Sequence, residues 1–159
     1  MTGKVRKLEG KYLTFALGDE EYGIEALKVQ GIMGMQTITP IPNVPRFFLG
    51  VVNVRNAVSP VISARLRMGM PEIDYTPLTC LILVNLGESS AGMVVDEVRD
   101  VVDIVAGQIE EPPNMTSSGQ NEVIGLAKVG EKIKILLDVE AVLADVVKLS
   151  GMAADAPPA

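Results

Sequence analysis

The chain has 159 residues, 48% of them hydrophobic, and a formal net charge of −6 at pH 7. This length suits one ordinary domain with a packed core. The acidic balance and the scarcity of aromatic residues argue against nucleic-acid binding, which needs a basic surface and exposed rings. The chain has no histidine, which excludes Ser-His-Asp and Cys-His catalysis and any zinc site with a histidine ligand.

No signal peptide is evident, and the longest apolar run, Phe47–Val52, is far shorter than the ~20 residues of a membrane span. The single cysteine, Cys80, fits a reducing compartment. Asp96, Asp100 and Asp103 lack the glycine and ligand order of a calcium loop and are expected to form a solvated face. We therefore expect a cytoplasmic protein with no metal, no cofactor and no direct membrane insertion.

In chain order, the first half predicts short strands separated by turns. Pro40, Pro42 and Pro45 impose an extended connection between the second strand and a hairpin whose tip contains Arg55 and Asn56. The predicted elements are strands at Lys11–Leu17 and Tyr22–Glu25, a short helix within Ala26–Met33, and a hairpin of Phe47–Val54 with Val58–Ile62.

The second half follows a linker at Gly69–Pro77 and is again rich in short strands. Its predicted elements are strands at Leu78–Leu86 and Gly92–Val95, a hairpin of Val123–Val129 with Lys132–Leu137, and a helix at Val139–Leu149. Asp138 is a suitable N-cap for that helix. The valines between Val94 and Val105 fit a helical period, yet β-branched residues favour strands, so the pattern leaves this segment open.

A weak internal repeat is the most informative pattern. Leu17-Gly18-Asp19 and Gly23 recur 69 positions later, and the motif from Gly50 to Ile62 recurs 75 positions later. Two copies of a short-stranded unit predict two small β-barrels that share an apolar seam. We expect one domain at 8–150, with subdomains at about 10–68 and 78–137, a helix at about 139–149, and flexible tails at 1–7 and 151–159.

Four segments resemble motifs of the CheW-type chemotaxis coupling proteins. They are YLTFALGDEEYGIE at Tyr12–Glu25, TPIPNVP at Thr39–Pro45, GVVNVR at Gly50–Arg55 and GMVVDEV at Gly92–Val98. The resemblance implies an all-β fold with short helices, in which two SH3-like five-stranded β-barrels pack side by side and a helix follows. It also favours strand for the valine-rich segment.

The resemblance further implies a non-catalytic adaptor that couples chemoreceptors to the histidine kinase CheA. Its partners would be the cytoplasmic tip of a methyl-accepting chemoreceptor and the regulatory domain of the kinase. The receptor-binding groove would involve Leu13, Ala26, Val29 and Val98. The kinase-binding and signature positions would be Ile41, Phe48, Gly50, Arg55 and Asn56.

Several positions depart from the family motifs. Asn56 replaces the glycine after the arginine, Ser63-Ala64-Arg65 replaces D-L-R, and Gly31-Ile32-Met33-Gly34 replaces E-I-R-G. Two alternatives to the adaptor stay open, and these changes bear on the first of them. One is a divergent homologue that binds receptor but binds kinase weakly or not at all, and thereby modulates array assembly. The other is a small-molecule-binding β-barrel protein.

Overall fold

A computed structural model describes residues 8–111, 122–144 and 146. Within this part of the chain there are eleven strands, because the valine-, isoleucine- and leucine-rich runs favour extended backbone. The strands are β1 Gly10–Leu17, β2 Glu20–Glu25, β3 Val29–Gly34, β4 Phe48–Val54, β5 Ala57–Ser63, β6 Cys80–Asn85, β7 Ser90–Val95, β8 Glu97–Ile104, β9 Ile109–Glu110, β10 Val123–Val129 and β11 Lys132–Leu137. Short 3₁₀ helices occupy Ala26–Lys28 and Ala106–Gln108, a short helix α1 occupies Ala64–Arg67, and residues 139–144 are helical.

The strands form two sheets, which we call barrel A and barrel B. Barrel A has the order β8-β1-β2-β11-β10-β9, and its end strands β8 and β9 are consecutive along the chain. Barrel B has the order β3-β6-β7-β5-β4, and a bridge between Thr39 and Val51 returns the chain after β3 to β4. The prediction of an all-β fold with two SH3-like barrels is confirmed.

The internal repeat is visible in the strand registers. In the β1–β2 hairpin Ala16 pairs with Glu21, and in the β6–β7 hairpin Asn85 pairs with Ser90, which is the same pair after the shift of 69. The β4–β5 and β10–β11 hairpins also share one register after the shift of 75, including a bulge just before Gly50 and Gly125. The two halves therefore adopt the same local structure.

The two halves exchange their first hairpins. β5 from the first half pairs in parallel with β7, and β11 from the second half pairs in parallel with β2. These contacts match, because the Val61–Gly92 pair corresponds to the Leu136–Gly23 pair after the two shifts. The predicted subdomains at 10–68 and 78–137 therefore do not coincide with the barrels, since barrel A contains 10–25 and 97–137 while barrel B contains 29–95.

Three apolar clusters follow from this arrangement. One fills barrel A around Tyr12 and Leu136, and another fills barrel B around Val61 and Leu81. The largest lies between the barrels and takes buried side chains from both sheets and from the final helix. This shared cluster is the apolar seam that the repeat predicted, and Val139, Val142, Leu143 and Val146 of the last helix belong to it.

Local predictions had mixed outcomes. The valine-rich segment is strand from Val94 to Ile104, interrupted at Asp96, and Val105 follows the end of β8. The helix expected within Ala26–Met33 is wrong beyond the 3₁₀ turn, because β3 pairs with β6 and extends this segment. Asp138 caps the final helix by accepting hydrogen bonds from the N–H groups of Glu140 and Ala141. The predicted tails at 1–7 and 151–159 and the helix end at 147–149 lie outside the described residues.

Replacing Gly50 with alanine should destabilise the protein. The backbone of Gly50 has φ 145°, and a Cβ there would lie 2.1 Å from the carbonyl oxygen of Thr39. Gly50→Ala should lower the free energy of unfolding by at least about 2 kcal/mol, since both strain and a backbone clash must be relieved. Urea denaturation measures this change. The control is Gly34→Ala, where a Cβ meets nothing within 4 Å, and equal losses in the two variants would contradict the explanation.

Candidate protein-binding surfaces

Val29 and Val98 lie at matched places on the two barrels. Val29 begins β3 and pairs with Val84, while Val98 lies in β8 and pairs with Phe15. Both pairs are related by the shift of 69, so the two valines are counterparts in the repeat. Both side chains are half-buried and border the shared cluster. The predicted groove residues Val29 and Val98 are therefore positioned at the junction of the barrels.

The other two predicted groove residues differ in exposure. Ala26 is half-buried in the 3₁₀ helix between β2 and β3. Leu13 is 3% exposed and belongs to the shared cluster, so it packs in the core rather than at the surface. Sequence reasoning missed Leu27, which lies next to Ala26 and is 94% exposed. The sequence signal that could have indicated its exposure is an apolar residue within the short segment that connects two strands.

The five predicted kinase-binding and signature residues do not form one patch. Ile41 and Phe48 pack on the shared cluster, Ile41 half-buried and Phe48 buried. Gly50 is buried where the Thr39 backbone approaches it. Arg55 and Asn56 are exposed at the far end of the hairpin, about 20 Å of strand away from Phe48. Phe48 and Gly50 therefore support the hairpin, and Arg55 and Asn56 present its tip.

The hairpin tip has a defined backbone. Arg55 has φ 53° and Asn56 has φ 66°, so both central residues of the two-residue loop are left-handed, as in a type I′ turn. Asparagine tolerates this conformation better than other non-glycine residues. Asn56 therefore performs the conformational role of the family's glycine, while the turn holds the Arg55 side chain outside the barrel.

The other departures from the family motifs are also accommodated by the fold. Ser63 occupies the N-cap of α1 and accepts a hydrogen bond from the N–H of Leu66 at 3.2 Å. Serine and aspartate are comparable N-caps. Ala64 is buried in the shared cluster, and Met33 packs on the interior cluster of barrel B. Each of these residues is therefore accommodated by the local structure of this chain.

Arg65 and Asp96 form a two-pronged ion pair between the halves. Nε and Nη2 of Arg65 donate to the two carboxylate oxygens at 2.8 and 2.7 Å, and the N–H of Gly18 donates to Oδ2 at 2.7 Å. Nη1 of Arg65 also donates to the Pro71 carbonyl at 3.1 Å. Asp96 was expected to be solvated with Asp100 and Asp103, and for Asp96 this is wrong, because Arg65 lies against it.

The electrostatics of Asp96 follow from these contacts. Burial by itself raises the pKa of the carboxyl group, but the hydrogen bonds from Arg65 and Gly18 and the charge of Arg65 more than offset it. The pKa of Asp96 is consequently lowered from its ordinary value of 3.8. The lowered pKa favours the ionised form of Asp96, which joins the β1–β2 turn at Gly18 to Arg65 of α1.

The cavities are modest. An open depression of about 440 Å³ lies between the Pro-rich connection and α1, lined by Arg46, Phe47, Leu66, Gly69, Met70 and Pro71. A cleft of about 20 Å³ beside Arg65 and Asp96 is the size of a water site.

In the described part of the chain, no group of three or more Cys, Asp or Glu side chains could hold a metal ion. Over the same residues, no helix has the length and hydrophobicity needed to traverse a bilayer.

These observations define a protein of two interlocked β-barrels with an exposed hairpin tip and half-buried valines where the barrels meet. A model of the CheW-like domain matches residues 11–147. The chemotaxis protein CheW of Klebsiella aerogenes is 39% identical over 145 residues, covering 87% of each chain. That of Bacillus subtilis is 31% identical over 144 residues, covering 90% of this chain and 92% of the relative.

A solved structure agrees with these matches. The crystal structure of scaffolding protein TtCheW from Thermoanaerobacter tengcongensis superposes with a TM-score of 0.75 at 31% sequence identity. The match covers 82% of this chain and 90% of that one. The chain belongs to the CheW-like family.

The ion pair predicts a pH dependence of stability. Because the pKa of Asp96 is lowered on folding, its contribution is present above the unfolded pKa of about 3.9 and is lost as the pH falls through the folded value. The free energy of unfolding should therefore decrease below about pH 4 more steeply in the parent protein than in Asp96→Asn. Urea titrations from pH 6 to pH 2.5 measure this. Parallel curves for the two proteins would rule out the assignment, and Asp103→Asn, at an exposed surface pair, is the control.

Proposed function

We propose that this protein is a non-catalytic adaptor that couples chemoreceptors to the histidine kinase CheA in a chemosensory array. The family match over residues 11–147 is the observation that carries this proposal. The names of the relatives describe chemotaxis proteins and a scaffolding protein. Such an adaptor would work in the cytoplasm and would need two separate surfaces on a rigid body.

The receptor surface is proposed at the junction of the barrels. Val29 and Val98 border the shared cluster from the two barrels, with Ala26 beside Val29. Leu27 adds an exposed apolar side chain at this place. A receptor tip built from helices presents apolar side chains at helical spacing, which suits a groove with half-buried valines and an exposed leucine. Leu13 supports this surface from beneath.

The kinase surface is proposed at the tip of the β4–β5 hairpin. Arg55 is exposed there, and within the described residues no hydrogen bond or ion pair involves its side chain. The neighbouring Val58 is 68% exposed, so the tip combines a cation with an apolar side chain. Arginine beside apolar surface is typical of residues that dominate protein interfaces. The turn fixes the direction in which the Arg55 side chain leaves the hairpin.

The weak-kinase alternative receives less support than the adaptor. Asn56 and Ser63 perform the conformational and capping roles expected of the family residues, so the hairpin and α1 keep their form. The loss of charge at Gly31 and Met33 is a real difference in surface chemistry. Binding of the purified kinase regulatory domain decides between the two functions, since the adaptor requires it and the modulator does not.

Arg55→Glu should weaken binding to the kinase regulatory domain. Placing a negative charge where the partner receives a cation should raise Kd at least about tenfold, the effect of about 1.4 kcal/mol at an interface. Isothermal titration calorimetry measures Kd, and thermal unfolding checks that the fold is retained. Lys128→Glu, an exposed change of the same charge on barrel A, is the control. Unchanged kinase affinity in Arg55→Glu would reject this surface.

Leu27→Asp should weaken binding to receptor without affecting the fold. The side chain is 94% exposed in the free protein, so its loss removes contact area only in the complex. Burial of a leucine contributes about 1.5–3 kcal/mol, which predicts roughly a tenfold or greater loss of affinity. Co-sedimentation with receptor-containing membranes, without kinase, measures it. Ile133→Asp, also at an exposed apolar residue, should sediment like the parent, and equal loss in both variants would contradict the location.

A further inference from the structure

Charged side chains meet repeatedly where the two halves of the chain exchange strands. We call residues 8–68 the N-half and the described residues from 79 onward the C-half. Among the described residues, six ion pairs join an N-half residue to a C-half residue: Lys11–Asp103, Arg67–Glu122, Lys132–Glu21, Lys28–Glu140, Arg65–Asp96 and Lys134–Glu21. Three of these six are Lys28–Glu140 at 2.6 Å, Arg65–Asp96 at 2.7 Å, and Lys134–Glu21. The last two pairs have side chains less than 20% exposed.

The repeat shows what these residues would meet if like halves combined. Glu140 lies 75 positions after Arg65, so the two are counterparts. Glu97, the neighbour of Asp96, is the counterpart of Lys28 by the shift of 69. Pairing an N-half with an N-half would therefore place Arg65 near Lys28. Pairing a C-half with a C-half would place Glu140 near Asp96 and Glu97.

The third pair behaves in the same way. The counterpart of Lys134 is Ser59, and the counterpart of Glu21 is Ser90. In barrel B these serines occupy the corresponding place, with their hydroxyl oxygens 2.8 Å apart. Like-half pairing would put Glu21 against Ser59 and Lys134 against Ser90. Lys134 is 8% exposed, so each charge would be buried without a counter-charge, which is costly.

Backbone and apolar contacts do not distinguish the pairing of opposite halves from the pairing of like halves. The two halves share the same strand registers, so like-half pairing would offer nearly the same ladder of hydrogen bonds. Burial of apolar surface is non-directional. Partly buried ion pairs add little net stability, and their best-attested use is to select one pairing over another. The opposite signs on the two halves supply such a selection.

We propose that these three ion pairs form a pairing code that directs an N-half to combine only with a C-half. The C-half of a second copy satisfies the code as well as the C-half of the same chain does. The partner that fits each half is therefore the opposite half of any copy of this protein. The linker from Pro71 to Leu78 is exposed throughout and free of strand pairing. It can therefore connect an N-half and a C-half that are each paired with the opposite half of a second copy.

Two full-length variants with complementary substitutions test the code. The first carries Lys28→Glu and Arg65→Glu, and the second carries Asp96→Arg and Glu140→Lys, which leaves the buried Lys134–Glu21 pair intact. Each variant alone has like charges at two of the three contacts. Unfolded together in urea and refolded as an equal mixture, they restore both matches by exchanging halves. Light scattering after size-exclusion chromatography and native mass spectrometry give mass and composition.

The expected result is a 1:1 heterodimer of twice the 16.9 kDa monomer mass, absent when either variant is refolded alone. A chain with all four substitutions should refold as a monomer, because its signs match again. A mixture that behaves as the sum of its separate components would overturn the proposal. So would a dimer that either variant forms equally well when it is refolded alone, because like signs would then have paired. The single-site variants Lys28→Glu and Glu140→Lys repeat the mixing at the most exposed pair.

Discussion

The parallel pairing of strands across the two halves is the contact on which the rest of the structure depends. β5 needs β7 as a neighbour and β11 needs β2, so neither barrel is complete without strands from both halves of the chain. A single unit of this size buries too little apolar surface for robust independent stability. By interlocking, the halves also place one apolar cluster between the barrels, to which both sheets and the last helix contribute.

That interlocking gives the proposed binding surfaces their rigidity. Val29 and Val98 begin or continue strands that are each paired with a strand from the other half, so their separation is fixed by backbone hydrogen bonds. The Arg65–Asp96 pair joins α1 to the β1–β2 turn, because Asp96 accepts from both Arg65 and the N–H of Gly18, and Arg65 also donates to the Pro71 carbonyl of the linker. An adaptor that must hold two partners in a set geometry benefits from surfaces that do not move relative to each other.

Much of the fold could be predicted from the sequence, because the repeat of glycines and apolar positions specifies two equivalent units. The exchange of hairpins could not be predicted in this way. A repeat identifies which segments are alike, but the partner of a strand depends on long-range contacts that leave no local pattern. The same limit explains the error at Ala26–Met33, where pairing with β6 overrides any helical tendency.

The candidate surfaces, too, could be predicted from the sequence only in part. The tip at Arg55 and Asn56 was predictable, since a two-residue polar turn between apolar strands specifies a tight hairpin. The burial of Leu13 and the partnership of Asp96 with Arg65 were not, because alternation along one strand does not say which face meets a second sheet. Phe48 begins β4 and Arg55 follows its last residue, so the length of the strand separates two residues that were predicted to share one binding surface.

The exchanged order of strands has a consequence for synthesis on the ribosome. All strands of barrel B lie between residues 29 and 95, so this barrel can close while the later part of the chain is still being made. The β1–β2 hairpin emerges first, yet its neighbours β8 and β11 come from residues 97–104 and 132–137. An isolated two-stranded hairpin is marginal in water. The β1–β2 hairpin is thus synthesised first but gains its neighbouring strands last, and its apolar residues need protection in that interval.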